Sequence, residues 1–160
     1  NEKSALFIRR GYDNSVFEQA VVKLRNASLD YIVHLIFGLP DETHNDMFDS
    51  VKYVSSFKPN GVKLQLLHII KNADLAQLYE QGLVNMLSMD EYIDIIVYAI
   101  GLLPPETVIH RLTGDSPHGL LIAPKWSEKK WEILNEGRAN ANGLGQFSKP
   151  EIPYFRKTGI

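Results

Sequence analysis

Three short apolar runs, set apart by stretches with helical period, most limit how this chain can fold. They are Tyr31 to Phe37 (YIVHLIF), Val62 to His68 (VKLQLLH) and Thr107 to Leu112 (TVIHRL). The first is nearly continuous and β-branched, as a strand covered on both faces needs to be. Helix-start signals fall between the runs. Ser15-Val-Phe-Glu18 and Ser88-Met-Asp-Glu91 read as capping boxes, in which hydroxyl and carboxylate each satisfy a free backbone N–H. Thr43 with Asp46 is a weaker version, and after it Met47, Val51 and Val54 recur as one apolar helical stripe. Gly82 is placed to stop a helix over Leu75 to Gln81, and Leu103-Pro104-Pro105 to stop the long one after Ser88. A last helix is expected from Ser127, carrying Trp131, Ile133 and Leu134.

Strands alternating with helices imply parallel βαβ units with right-handed crossovers. Three strands cannot close a barrel, which takes about eight. The fold expected is therefore α/β with three parallel strands and flanking helices, an open or incomplete parallel barrel. The chain starts on a helix that normally follows a strand, which favours incomplete. Its 160 residues allow one domain with a real core, expected over residues 1–139, with 140–160 irregular or partly disordered. An opening Asn1 in place of Met suggests a piece of a larger protein.

Composition removes several function classes. The chain has no cysteine, so it offers neither a disulfide nor a thiolate metal site. A net charge of −2 gives no strong case for nucleic acid or an anionic membrane. No apolar run reaches the roughly 18 residues of a membrane span, and no signal peptide opens the chain. A cytoplasmic protein is expected.

In parallel α/β folds ligands bind at the carboxyl ends of the strands. The first strand runs into Gly38-Leu39-Pro40-Asp41-Glu42-Thr43, either a ligand-approachable turn or simply a good strand-to-helix connection. The second ends at His68, and the third continues through His110-Arg111-Leu112-Thr113-Gly114-Asp115. His34, His68 and His110 raise a metal site, although no H-x-H or H-E-x-x-H spacing supports it. The Arg111–Asp115 loop is either a substrate contact or an ion-paired turn. Arg9-Arg10 is either a solvated face or a fork for a carboxylate. Lys125, Lys129, Lys130, Arg156 and Lys157 near Trp126 and Trp131 are a faint nucleic-acid cue against an ordinary surface.

Together these pieces resemble the second half of a radical S-adenosylmethionine (radical SAM) core. The resemblance rests on Leu6-Phe7-Ile8-Arg9-Arg10-Gly11-Tyr12, then His34-Leu35-Ile36-Phe37-Gly38-Leu39-Pro40-Asp41-Glu42-Thr43, then Leu64-Gln65-Leu66-Leu67-His68. Val108 to Asp115 and Leu121-Ile122-Ala123-Pro124 narrow it to a bacterial branch related to the catalytic subunit of Elongator. It implies the second half of a partial (β/α)6 barrel and, in the whole enzyme, a 4Fe-4S cluster held by three cysteines that this chain lacks. It implies further that S-adenosylmethionine is cleaved to a 5′-deoxyadenosyl radical that abstracts a substrate hydrogen, with RNA a candidate substrate. By the same resemblance Arg10 meets the carboxylate or ribose side of the cofactor. His34 takes the polar position on the fifth strand, Ile36 and Gly38 flank the adenine, and the backbone at His68 and Ile69 borders it. His110, Arg111 and Asp115 fall on the substrate side. The segment alone is expected to be inactive and to self-associate through its exposed sheet edge. Two alternatives stay open: a metal-dependent barrel hydrolase using His34, His68 and His110, and a non-catalytic domain presenting the Arg111–Asp115 loop.

Overall fold

The computed structural model describes residues 1–117, 119–133 and 135–136. Three strands, β1 (Ile32–Phe37), β2 (Gly61–Leu66) and β4 (Val108–Arg111), form one parallel sheet in the order β1-β2-β4. Each expected run is a strand, trimmed at its ends. Tyr31 leaves the first run because its hydroxyl donates to the Phe57 carbonyl at 2.5 Å, and its N–H to Asn60. Thr107 leaves the third because its hydroxyl donates to the Pro59 carbonyl at 3.1 Å.

The helices are α1 (Glu2–Phe7), α2 (Asn14–Asn26), α3 (His44–Ser56), α4 (Asp74–Glu80) and α5 (Met89–Leu102). Capping boxes open α3 at Thr43/Asp46 and α5 at Ser88/Glu91. The third expected box does not form. Asp13 caps α2 instead, accepting from the Ser15 backbone N–H at 2.9 Å, while Glu18 accepts the Tyr53 hydroxyl at 2.9 Å. A carboxylate two residues earlier is the stronger acceptor for the free N–H groups, and Glu18 is already engaged. Lys125–Glu128 is a 3₁₀ turn, so helical winding after Ser127 begins only at residue 130. Leu134 and the 140–160 tail lie outside the described residues.

One apolar layer fixes this arrangement. Val33, Leu35 and Phe37 of β1 pair in register with Val62, Leu64 and Leu66 of β2, and Ile109 of β4 pairs with Val62. Residues facing each other across parallel strands point to the same side. This side packs on Met47, Val51 and Val54 of α3 and on Tyr92, Ile93, Ile96 and Ala99 of α5. With Leu64 and Val62 fully buried, burial of this face supplies most of what holds the sheet to its helices.

A second, smaller sheet pairs β3 (Ile69–Ile70) with β5 (Leu121–Ala123) antiparallel, beyond the carboxyl end of β2. It covers a separate cluster of Leu67, Ile69, Ala76, Val84 and Ala123. Neither strand was expected from periodicity. Two or three residues are too short to show a period, and the chain turns at His68 where the second run was expected to end.

The other face of the main sheet is left open. It presents Ile32, His34 and Ile36 of β1, beside Lys63 and Gln65 of β2. Ile32 and Ile36 are about 40% exposed. The expected apolar inner patch, the driving force for edge-to-edge self-association, is thus broken by His34, Lys63 and Gln65.

Candidate functional site

The turn after β1 shows how the sequence builds its corner. Gly38 has φ +81°, and a side chain there would begin 3.0 Å from the Leu87 Cδ1. Its N–H donates to the Met47 Sδ at 3.3 Å. The glycine is therefore required by backbone conformation and by Leu87. Glu42, four residues on, is half-buried, and burial raises its carboxyl above the usual range against the pull of a hydrogen bond from Ser4. That contact fixes α1 over the end of β1, and α1 in turn delivers Arg10.

Arg10 and His34 line one cleft of about 380 Å³, together with Tyr12, Phe17, Asp46, Asp49 and Tyr53. Val33, His34 and Leu35 are consecutive and all line it, as happens only where a cavity meets the edge of a strand. Arg10 is held rather than solvated. Its Nε donates to the Tyr12 carbonyl at 2.9 Å, its Nη2 to the Asn14 Oδ1 at 3.0 Å, and it stacks 4.8 Å over the Tyr12 ring. Its Nη2 also lies 3.7 Å from the Glu2 carboxylate, while among the described residues its Nη1 makes no hydrogen bond, so one arm of the fork remains for a ligand. Arg9, its neighbour, lies on the surface and pairs with Asp74.

His34 stands exposed on the open face. Partial burial and then the positive charges of Lys63 and Arg111 hold its imidazole below the usual range. Ile36 follows two residues on, toward the carboxyl end of the same face.

A second group lies at the carboxyl end of β2. The His68 Nε2 is buried with no hydrogen-bond partner among the described residues, and the ring fills the space beside Gly114, where a Cβ would sit 2.8 Å from Cε1. Burial, and then Lys130, lower the His68 imidazole below its usual range. Asp115 forms an ion pair with Arg111 at 3.3 Å and also pairs with Lys130. The Arg111–Asp115 loop is thus an ion-paired turn, and it still reaches the strand end beside His68. Ile69 is fully buried in the smaller sheet's cluster, so only its backbone could border a ligand.

His110 departs from this group. Its ring crosses Gly61, where a Cβ would meet its Cδ2 at 2.5 Å, at the amino end of β2. The three strand histidines are therefore spread from one end of the sheet to the other. Among the described residues no three His, Asp or Glu side chains come together to hold a metal ion, which removes the ligand set on which the hydrolase alternative rested.

Sequence reasoning missed Lys63 and Gln65, and read Lys130 as a nucleic-acid cue or ordinary surface rather than as a partner of Asp115. The alternation Val62-Lys63-Leu64-Gln65-Leu66 was a signal for the first two, since polar residues at period two mark a face not packed in the core.

The model of the radical SAM C-terminal domain matches residues 59–141. The chain belongs to that family. Among proteins similar to it, the uncharacterized protein YtqA of Bacillus subtilis is 37% identical over 147 residues, covering 92% of this chain and 46% of YtqA. Protein YhcC of Escherichia coli is 29% identical over 160 residues, covering 96% of this chain and 51% of YhcC. The chain thus spans about half the length of these relatives. In structure, Elp3 from the archaeon Methanocaldococcus infernus, deleted for residues 1–46, superposes with a TM-score of 0.69 at 20% identity, over 85% of this chain and 34% of that one. This likeness concerns the fold, and the three-stranded parallel sheet with flanking helices is what the two share.

Proposed function

We propose that this segment supplies the cofactor-binding and substrate-facing half of a radical SAM enzyme. The observation that carries the reading is the convergence of Arg10, with its Nη1 unbonded among the described residues, and exposed His34 on one cleft at the sheet edge. Neither residue type is needed there for packing, and a forked cation beside a neutral imidazole suits a carboxylate and a ribose hydroxyl.

The residues fit S-adenosylmethionine and do not fit an iron–sulfur cluster. Arg10 would hold the cofactor's carboxylate, His34 a ribose hydroxyl, and Ile36 would offer an apolar surface to the base. When bound, S-adenosylmethionine supplies a sulfonium whose reductive cleavage drives hydrogen abstraction. Clusters of this kind need thiolates, and this chain has no cysteine, so no step is assigned here to a cluster. The chain's own residues orient the cofactor and line the space a substrate enters. His68, whose buried Nε2 has no partner among the described residues, is ready to accept or donate one hydrogen bond to a group bound at the strand ends.

Measuring S-adenosylmethionine affinity in the full-length protein tests this. Arg10→Ala should weaken binding by about 1.5–3 kcal/mol, the cost of removing one side of a charge-assisted contact. The exposed Lys23→Ala should leave it unchanged. Equal affinities for the two variants would leave Arg10 as no more than a brace between α1 and α2.

A further inference from the structure

Across the middle of the open face, register places three basic side chains side by side. His34 pairs with Lys63 on β2, and Lys63 pairs with Arg111 on β4. A shift in register between Val62 and Lys63 is what brings Arg111 into this row: Val62 pairs with Ile109, so His110 is left over and Arg111 takes the next place. The electrostatics agree, because Lys63 and Arg111 are the charges that disfavour the imidazolium form of His34.

Like charges directly across neighbouring strands are destabilising. Ordinarily an acidic neighbour relieves them, and among the described residues the relief comes from Asp115, which is shared between Arg111 and Lys130. Among the described residues Lys63 has no ion pair and no side-chain hydrogen bond. Lys63 and Arg111 stand in this row, and Asp115, the one carboxylate paired with it among the described residues, is shared with Lys130, although the whole chain is slightly acidic at −2. A half-buried ammonium without an ion pair among the described residues, in the centre of an open sheet face, is placed to receive an anion.

We propose that the row His34–Lys63–Arg111 binds an oxyanion, a phosphate or carboxylate carried by the substrate, with Lys63 as its principal ligand. Describing the anion as the substrate's rests on the function proposed above; that the row binds an anion does not. Lys63 supplies a compact charge with three donors, and His34 adds one neutral N–H donor beside it. Arg111, tied to Asp115 at 3.3 Å, contributes field more than contact.

The test uses the full-length protein without S-adenosylmethionine. Inorganic phosphate and acetate are titrated separately while the His34 ring Cε1–H signal is followed by NMR. A saturable shift is expected with one of the two anions, together with an upward move of the His34 pKa, since a bound anion favours the imidazolium. Phosphate alone acting names a phosphoryl group, and acetate alone a carboxylate. Lys63→Met should weaken that binding by at least about tenfold, Lys63→Arg should retain most of it, and Lys23→Met should change nothing. The proposal is overturned if neither anion moves the His34 signal, or if Lys63→Met binds as well as the parent; Lys63 would then be a solvated lysine or one neutralised elsewhere in the protein. Anion binding abolished by saturating S-adenosylmethionine would give the row to the cofactor's own carboxylate and overturn the assignment to substrate. The cofactor titration with Arg10→Ala is a separate measurement, so failure of either reading leaves the other standing.

Discussion

On the face that meets α3 and α5, Val33, Leu35 and Phe37 stand beside Val62, Leu64 and Leu66. On the opposite face the same two strands present Ile32, His34 and Ile36 beside Lys63 and Gln65. One residue of offset along the backbone separates the two sets, because successive side chains point to opposite sides. The first face holds side chains that a helix layer can bury without an unmet hydrogen bond. The second holds charges that would be costly to bury unpaired. The contrast shows that stability and ligand chemistry are divided by face rather than by region, so each can be changed with little effect on the other.

The strongest test of that division uses adjacent residues. Leu64→Ala should destabilise by about 2–5 kcal/mol, as deletion of a fully buried leucine does. Lys63→Met, next to it, should stay within about 0.5 kcal/mol. Urea denaturation reads both, and a Lys63 variant as damaging as the Leu64 one would break the comparison.

A smaller effect is expected where the two ends of the open face differ. Gly61→Ala would place a Cβ 2.5 Å from the His110 Cδ2 and 3.1 Å from the Val108 carbonyl. The crowding should cost about 1–3 kcal/mol. Adding His110→Ala should recover part of that loss and not all, because the Val108 contact is backbone. Full recovery would show that the strands themselves are free to shift.

The smallest effect concerns pH. Burial, then Lys130, depress the His68 pKa in the folded protein. The native state therefore favours neutral His68, and this contribution is complete above about the usual 6.5. It declines as pH falls below that value and is lost through the folded pKa. Thermal melts at stepped pH should show a loss of stability over this window that is absent in His68→Phe and shallower in Lys130→Met. An unchanged slope in His68→Phe would assign the loss of stability to another titrating group.

The covered face was legible in the sequence, and the reasons are particular. Tyr31 to Phe37 is apolar and β-branched enough to declare a strand, and the Thr43 and Ser88 caps mark where α3 and α5 begin. The parallel order follows from their alternation. Less of the open face could be read. Arg10 was read as surface or carboxylate fork and His34 as a metal-ligand candidate, with their cofactor roles given by resemblance, whereas Lys63 was absorbed into an apolar run although it and Gln65 alternate with buried residues. The pairing of Asp115 with Lys130 joins residues fifteen apart with β5 between them, and no local pattern encodes it. Nor could the place of His110 be read, since it depends on a register shift and on a glycine in the neighbouring strand.

That register shift also sets where the chain tolerates a change in length. Removing one residue from the middle of β1 or β2 would turn the remainder of the strand inside out, sending cations toward the helices and leucines toward solvent. β4 is different, because His110 is already supernumerary to the ladder: Ile109 pairs with Val62 and Arg111 with Lys63. Without His110 the ladder would close as a regular one, with Arg111 on its present side. In an alignment of related chains, a gap opposite residue 110 is the one strand gap in the main sheet that geometry permits without exchanging the two faces.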